Sequence, residues 1–159
     1  MQKNNLFGKI GILISLSVLF LVSAYFGKAV NYFSVLFFSV GIFLGMALLE
    51  ADEKYAYKYY DPEEKRLVTR SFLFLLSLPP LGLFLLTSTG SAMGVGMFLG
   101  IISILSLEFF SFRNNLQGFQ KRYLSQLKRD ITQDEHAIFT TVFIAATVLF
   151  AFLVIFLGR

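Results

Sequence analysis

One acidic residue, Glu108, stands alone inside the apolar stretch 104–110. A carboxylate at membrane depth is costly and usually faces a bundle interior or a water-filled cavity, often paired, so Glu108 is the best single candidate for a functional residue. Counted along its helix at about 1.5 Å per residue, it lies roughly 26 Å from the far end of the apolar stretch, close to a membrane boundary. At that depth the alternative is a structural role, in which Glu108 reaches headgroup water or pairs with Arg113 or Lys58.

Two adjacent prolines, Pro79 and Pro80, lie in the middle of another apolar stretch. Proline removes a backbone donor and disfavours helical geometry in the residue before it, which predicts a kink near Leu78. The freed carbonyls would be satisfied by neighbouring helices or by Ser77. Broken helices line transport sites in many carriers, although prolines also occur in ordinary membrane helices. Pro79, Pro80 and Glu108 together are the candidate polar or transport site.

The remaining composition offers little for catalysis. The chain has no cysteine and one histidine, His136, which excludes thiolate chemistry and argues against a zinc cage or a bis-histidine haem. The sequence contains no Gly-x-Ser-x-Gly, no His-Glu-x-x-His and no phosphate-binding glycine-rich loop. We therefore predict a protein that is not an enzyme and that has no catalytic, cofactor or metal site.

The elements that position these residues are apolar and long. Hydrophobic residues make up 56% of the 159 residues and charged residues only 15%, so an ordinary soluble domain is excluded. Four segments, 10–27, 29–49, 71–107 and 137–158, carry no charged residue or histidine. The third is too long for one span and has a small, polar turn signal at 87–91, which splits it into two helices. The sequence thus predicts an all-α, polytopic membrane protein, a single integral domain over residues 1–159, with about five transmembrane helices arranged as two hairpins plus a final span. The predicted spans are about 7–27, 32–50, 71–88, 92–112 and 138–158.

The basic residues predict the orientation. Twelve of the 14 lysines and arginines fall in the N-terminal segment or in the loops 51–70 and 113–137, and only Lys28 and Arg159 fall on the opposite side. Because cytoplasmic loops are enriched in lysine and arginine, the N-terminus is expected inside and the C-terminus outside, in a plasma or inner membrane. This asymmetry accounts for the basic net charge without a nucleic-acid partner. The first span also resembles a signal peptide cleaved after Ala24, but its length favours retention.

Pairs of glycines one helical turn apart occur in spans 2 and 4. Gly41 and Gly45 match Gly96 and Gly100 when the sequence is shifted by 55 residues, and Gly94 extends the second set. Missing side chains at such positions let another backbone approach closely. Two interpretations stay open: packing of spans 2 and 4 within the chain, or a face that assembles with another membrane protein or a second copy.

The same shift aligns Glu53 with Glu108, so an internal duplication in parallel orientation is one interpretation and chance is the other.

Each cytoplasmic loop also ends in a helix-start signal. Asp61-Pro62-Glu63-Glu64 supplies an N-cap, a proline at the first helical position and acidic residues in the first turn. Thr132-Gln133-Asp134-Glu135 is a capping box. These signals predict that spans 3 and 5 begin as helices before they enter the membrane.

The stretch 114–131 reads as one amphipathic helix. Its apolar stripe comprises Leu116, Phe119, Tyr123, Leu124, Leu127 and Ile131. Its basic face comprises Lys121, Arg122, Lys128 and Arg129. This pattern favours a helix that lies against the anionic headgroups of the inner leaflet, with a docking helix for a soluble partner as the alternative.

Two functional hypotheses from different classes follow. The first is a non-enzymatic, multi-pass protein with a packing, scaffold or accessory-subunit role, partnered by lipid and by itself or another membrane protein. The second is a small transporter or channel that uses Glu108. It would act as an oligomer, because one monomer has too few polar residues in its spans for a water path. A membrane-embedded lipid enzyme is a third reading with almost no residues in its favour.

Overall fold

The computed structural model describes residues 6–26, 32–59, 68–88, 91–124 and 129–157. Within these ranges the chain is helical and contains no strand, so the predicted all-α class is confirmed for them. The α-helices are α1 (Leu6–Phe26), α2 (Tyr32–Tyr59), α3 (Phe72–Ser88), α4 (Ala92–Ser111), α5 (Leu116–Tyr123) and α6 (Gln133–Leu157). A short 3-10 helix, Val68–Arg70, precedes α3.

In the described part of the chain, three helical segments are long and apolar enough to cross a membrane: Tyr32–Tyr55, Ala92–Ser111 and Gln133–Val154. Two further apolar segments, Gly8–Val22 and Phe72–Thr87, are shorter. These helices are consistent with a membrane protein, whereas the predicted number of about five spans is not confirmed. The first of the three belongs to α2, which continues to Tyr59, well beyond the predicted end of that span at residue 50.

The helix starts are set by side-chain caps. The long apolar stretch divides at the predicted turn, and the Ser91 hydroxyl there accepts a hydrogen bond from the Gly94 amide at the start of α4. The predicted capping box before α6 is confirmed, because Thr132 and Glu135 each accept a hydrogen bond from the other's backbone amide. The start of α3 differs from expectation: Ser71 caps it, directly after the 3-10 helix. The predicted cap at 61–64 lies outside the described residues.

The closest helix pair is α2 with α4, and glycines make the approach possible. A methyl group built on Gly41 would overlap the Met93 carbonyl oxygen and lie 2.9 Å from the Met97 amide nitrogen. One built on Gly45 would lie 3.1 Å from the Ile101 amide nitrogen. Because the partner residue number rises with the glycine number, the two helices run in the same direction.

The other helices surround α4. The α6 helix runs antiparallel to α4, since Phe150 contacts Phe98 near one end and Phe139 contacts Phe109 near the other. The α3 helix approaches the same region of α4 through Gly82, whose missing side chain leaves room for the Phe98 ring. The α1 helix packs on α2, where its Phe20 ring stacks on Phe38 at 3.9 Å. The α4 helix is thus the buried centre of the described structure.

Candidate functional site: a buried charge cluster

The two glycine faces bring the C-terminal ends of α2 and α4 side by side, and a cluster of charged residues fills the space there. Its centre is an ion pair between Glu108 of α4 and Arg70 of the 3-10 helix. Arg70 Nε donates to Glu108 Oε2 at 2.8 Å, and Arg70 Nη2 donates to Oε1 at 2.7 Å. Such two-point pairing of a guanidinium with a carboxylate is the strongest form of this interaction. The Arg70 side chain is 0% exposed, so its charge has no contact with solvent.

Two further groups bind the Glu108 carboxylate. Lys9 of α1 donates to Oε1 at 3.3 Å and also to Glu50 of α2 at 2.8 Å. The Tyr123 hydroxyl of α5 donates to Oε2. Each carboxylate oxygen of Glu108 therefore accepts hydrogen bonds from more than one donor. The donors come from three other elements: α1, the 3-10 helix and α5.

The Glu53 carboxylate of α2 completes a ring with the two arginines. Arg70 Nη2 lies 3.2 Å from Glu53 Oε2, and Arg122 Nη2 of α5 lies 3.0 Å from the same oxygen. Arg122 also lies 3.7 Å from Glu108 Oε2. Each glutamate thus faces both arginines. The ring is uneven, because Arg70 and Glu108 are buried while Glu53 is 29% and Arg122 26% exposed.

Local structure places Arg70 in this position. The Asp52 carboxylate of α2 accepts hydrogen bonds from the backbone amide of Thr69 at 2.8 Å and from its hydroxyl at 2.5 Å. This contact ties the 3-10 helix to α2, one residue before Arg70. Arg70 Nη1 then donates to the Leu49 carbonyl at 3.3 Å. Because α2 continues past residue 50, it supplies the acidic residues Asp52 and Glu53 and thereby anchors the segment that carries Arg70.

The electrostatics of the cluster are balanced. Its three cations are Lys9, Arg70 and Arg122, and its three anions are Glu50, Glu53 and Glu108. Burial alone would lower the pKa of Arg70, but the hydrogen bond and the charge of Glu108 outweigh burial and raise that pKa, so the side chain stays charged. Burial, together with the negative charge of Glu108, raises the pKa of Tyr123 well above 10 and keeps the phenol neutral. The cluster is thus a network of ion pairs and hydrogen bonds that joins α1, α2, α4, α5 and the 3-10 helix.

One of the two expected partners of Glu108, Arg113, is not among the observed ones. Arg113 lies in the turn after α4 and is exposed, because the helix ends at Ser111 and the chain turns away. The side chain of Lys58 lies outside the described residues. The observed partners Lys9, Arg70 and Tyr123 were not singled out from the sequence. One signal was available for Arg70, which directly precedes an apolar span and so had to lie at the boundary where Glu108 was expected.

The prolines lie far from this cluster. The α3 helix continues through Pro79 and Pro80, and both side chains are exposed on its outer surface. The Ser77 hydroxyl donates to the Phe74 carbonyl at 2.7 Å, which is not one of the carbonyls that the prolines free. The structure therefore does not bring Pro79 or Pro80 together with Glu108.

The glycines divide into two groups. Gly41, Gly45, Gly96 and Gly100 all face the opposite backbone of the α2–α4 pair. Gly94 does not, because a methyl group there would meet Leu85 of α3 and Ser91 at 3.5 Å, an ordinary van der Waals distance.

The predicted amphipathic helix over 114–131 is wrong in length. The α5 helix ends at Tyr123, and Phe119 and Tyr123 are buried against Phe109 of α4. The Gln120 side chain of α5 donates to the Arg129 carbonyl and accepts from the Ile131 amide, so residues 129–131 lie beside α5.

The described residues of the predicted basic face do not lie together on one surface. Arg122 points into the charge cluster, and Arg129 pairs with Glu135 at 2.7 Å on the exposed surface. Lys121 is exposed, and Lys128 lies outside the described residues.

Comparison with protein-family models, with curated proteins and with solved structures found no match.

Proposed function

We propose that this chain is a non-enzymatic, multi-pass protein of a plasma or inner membrane with a packing, scaffold or accessory-subunit role. One observation carries the proposal: the carboxylate inside α4 is occupied on both oxygens by cations and a phenol of the same chain. A carboxylate bound in this way holds helices together. The apolar outer faces of the helices remain for lipid and for other membrane proteins.

The proposed architecture has five spans, with the N-terminus in the cytoplasm and the C-terminus outside. Three observations support it. The beginning of α1 and the ends of α2 and α4 meet in one charge cluster, as alternating spans require. The 3-10 helix before α3 joins the same cluster through Arg70. The start of α6 lies at that end as well, since Phe139 contacts Phe109.

The orientation is testable by labelling, because the natural chain has no cysteine. We expect Lys28→Cys to react with a membrane-impermeant maleimide in intact cells, and Lys65→Cys to react only after permeabilisation. Reaction of both from the same side would overturn the five-span arrangement.

The packing role is testable by affinity purification from native membranes in mild detergent. We expect the chain to be recovered in a complex of defined composition, either with a second copy or with another membrane protein. Repeated recovery as a lone monomer would contradict the role.

The alternative, a carrier or channel that uses Glu108, is weakened by the same cluster. Ion or proton transfer needs a carboxylate that a permeating species reaches, whereas Arg70 covers Glu108 with two hydrogen bonds and is itself buried. Reconstituted liposomes provide the test. Ion or proton flux through the natural chain that Glu108→Gln abolishes, with the variant still folded, would restore the transport hypothesis.

A further inference from the structure

The contacts between α2 and α4 obey an approximate two-fold symmetry. A shift of 55 residues carries Gly41 onto Gly96 and Phe38 onto Met93. The structure reproduces this exchange, since Gly41 faces the Met93 carbonyl and Gly96 faces the Phe38 carbonyl.

The second glycine of each pair repeats the pattern. Gly45 faces the Met97 carbonyl, and Gly100 faces the Ile42 carbonyl, the residue that the same shift relates to Met97. An interface in which residue i meets j while the equivalent of j meets the equivalent of i is the signature of a two-fold axis. Because α2 and α4 run in the same direction, this axis lies along them.

The symmetry ends at the outer faces of the two helices. On α4, Phe98 is 4% exposed because Gly82 of α3 and Phe150 of α6 cover its ring. The equivalent residue on α2 is Phe43, which is 44% exposed. Leu99 of α4 is likewise 1% exposed and its equivalent Leu44 is 41% exposed. The face of α2 that corresponds to the covered face of α4 therefore has no cover in the described part of the chain.

That uncovered face forms an apolar groove with a volume of about 670 Å³. Its residues on α2 include Leu36, Val40, Phe43, Leu44 and Ala47, and Leu21 of α1 forms one side. The symmetry indicates what fits there, because the equivalent face of α4 is covered in large part by the antiparallel helix α6.

We propose that the groove on α2 binds α6 of a second copy of this chain, so that two copies exchange the contact and form a dimer. Three features of α6 support this occupant. Its outer side is apolar and exposed, with Val142, Leu149 and Phe152 all more than half exposed. Its inner side is already engaged with α4, so the outer side is the one available. A copy inserted in the same orientation presents α6 antiparallel to α2, the direction seen against α4. This inference rests on the packing role proposed above.

Cysteine cross-linking tests the dimer without interference, since the natural chain has no cysteine. Phe43→Cys on one tagged copy is co-expressed with Leu149→Cys on a differently tagged copy, and the membranes are oxidised. The matched control replaces Leu149→Cys by Leu83→Cys, which is equally exposed and lies beside Gly82, at the same depth as Phe150. Because a disulfide requires Cα atoms within about 7 Å, we expect at least roughly tenfold more cross-linked heterodimer for the first pair.

A second pair checks the direction. With α6 antiparallel to α2, Val40→Cys is expected to cross-link with Phe152→Cys and not with Val142→Cys. Equal yields for the Leu149 and Leu83 partners, or a dominant Phe43–Phe43 cross-link in singly substituted protein, would overturn the proposal. Absence of any cross-link would also overturn it and indicate that lipid or another protein covers the groove.

Different results would exclude the packing role and the dimer proposed here. If no cross-link forms but the chain still purifies with a distinct membrane protein, the second copy is excluded and the packing role stands. If the chain is an uncross-linked monomer that purifies alone, both are excluded.

Discussion

Arg70 and Glu108, 38 residues apart in the chain, form a two-point ion pair in which the guanidinium is fully buried. The pair joins the 3-10 helix before α3 to the end of α4, two elements with few other contacts. Taking both charges out of water has a large desolvation cost, which the short, aligned hydrogen bonds offset. The pair is therefore sensitive to the loss of either partner.

Glu108→Gln is predicted to destabilise the protein strongly. The substitution preserves the shape of the side chain but leaves the buried Arg70 guanidinium without its main counter-charge, a loss that typically costs about 3–5 kcal/mol. The thermal unfolding midpoint in detergent, followed by the monodisperse peak in size-exclusion chromatography, is the measurement. The matched control is Glu135→Gln, which breaks the exposed pair with Arg129 and is expected to change the midpoint little. Similar midpoints for the two variants would contradict a structural role for the buried pair.

The glycines of the α2–α4 pair are predicted to differ sharply in their tolerance of alanine. At Gly41 and Gly96 the added methyl group would overlap a backbone oxygen of the opposite helix, so the helices must separate and the folded yield should fall severely. Gly11→Ala is the control, because nothing lies within 4 Å of a methyl group there. In that open position alanine is expected to be neutral or to raise stability by up to about 1 kcal/mol through its higher helix propensity. Comparable losses at Gly11 and Gly41 would count against direct backbone contact as the cause.

How far the sequence predicts this structure depends on how far apart in the chain the residues of each contact lie. The apolar runs, the turn at 87–91 and the capping box at Thr132 are local patterns, and local hydrogen bonding and hydropathy decide them. The glycine pairs were recognisable because their spacing of four residues places them on one helix face.

The charge cluster could not be assembled in the same way. Lys9 and Glu108 are 99 residues apart, and nothing in the pattern of either segment states that they meet. Arg113 was the nearer choice in sequence, but the end of α4 at Ser111 turns it outward. The predicted length of α5 was wrong, because the helical periodicity of the sequence over 114–131 continues past Tyr123, where α5 ends. The hydrogen bonds that Gln120 makes with the backbone of Arg129 and Ile131 are tertiary contacts that the periodicity does not reveal.

The first helix is predicted to remain part of the mature protein despite its resemblance to a signal peptide. Lys9 contributes a cation to the buried cluster, and Leu13 is fully buried among the other helices. Removal of residues 1–24 would leave Glu50 without its ion pair and expose the apolar surface that α1 covers. Intact mass spectrometry of C-terminally tagged protein from native membranes should give a chain that includes Lys9. A chain that begins at Tyr25 would refute this prediction.

Tyr123→Phe is predicted to destabilise the protein by about 1.5–3 kcal/mol, because it removes a hydrogen bond to an ionised and buried carboxylate. The pKa of Tyr123 is raised well above 10 by burial and by the charge of Glu108, so the phenol donates throughout the neutral range. A group whose folded-state pKa exceeds its unfolded value contributes its full stability below the unfolded pKa, about 10, and loses it as the pH rises through the folded value. The difference in unfolding midpoint between natural chain and variant should therefore be constant from about pH 6 to 9 and shrink above about pH 10. Tyr55→Phe, at an exposed position, should show no difference at any of these pH values. A Tyr123→Phe effect that grows between pH 7 and 9 would show that the phenol ionises in the folded state there, and would contradict its role as a donor to Glu108.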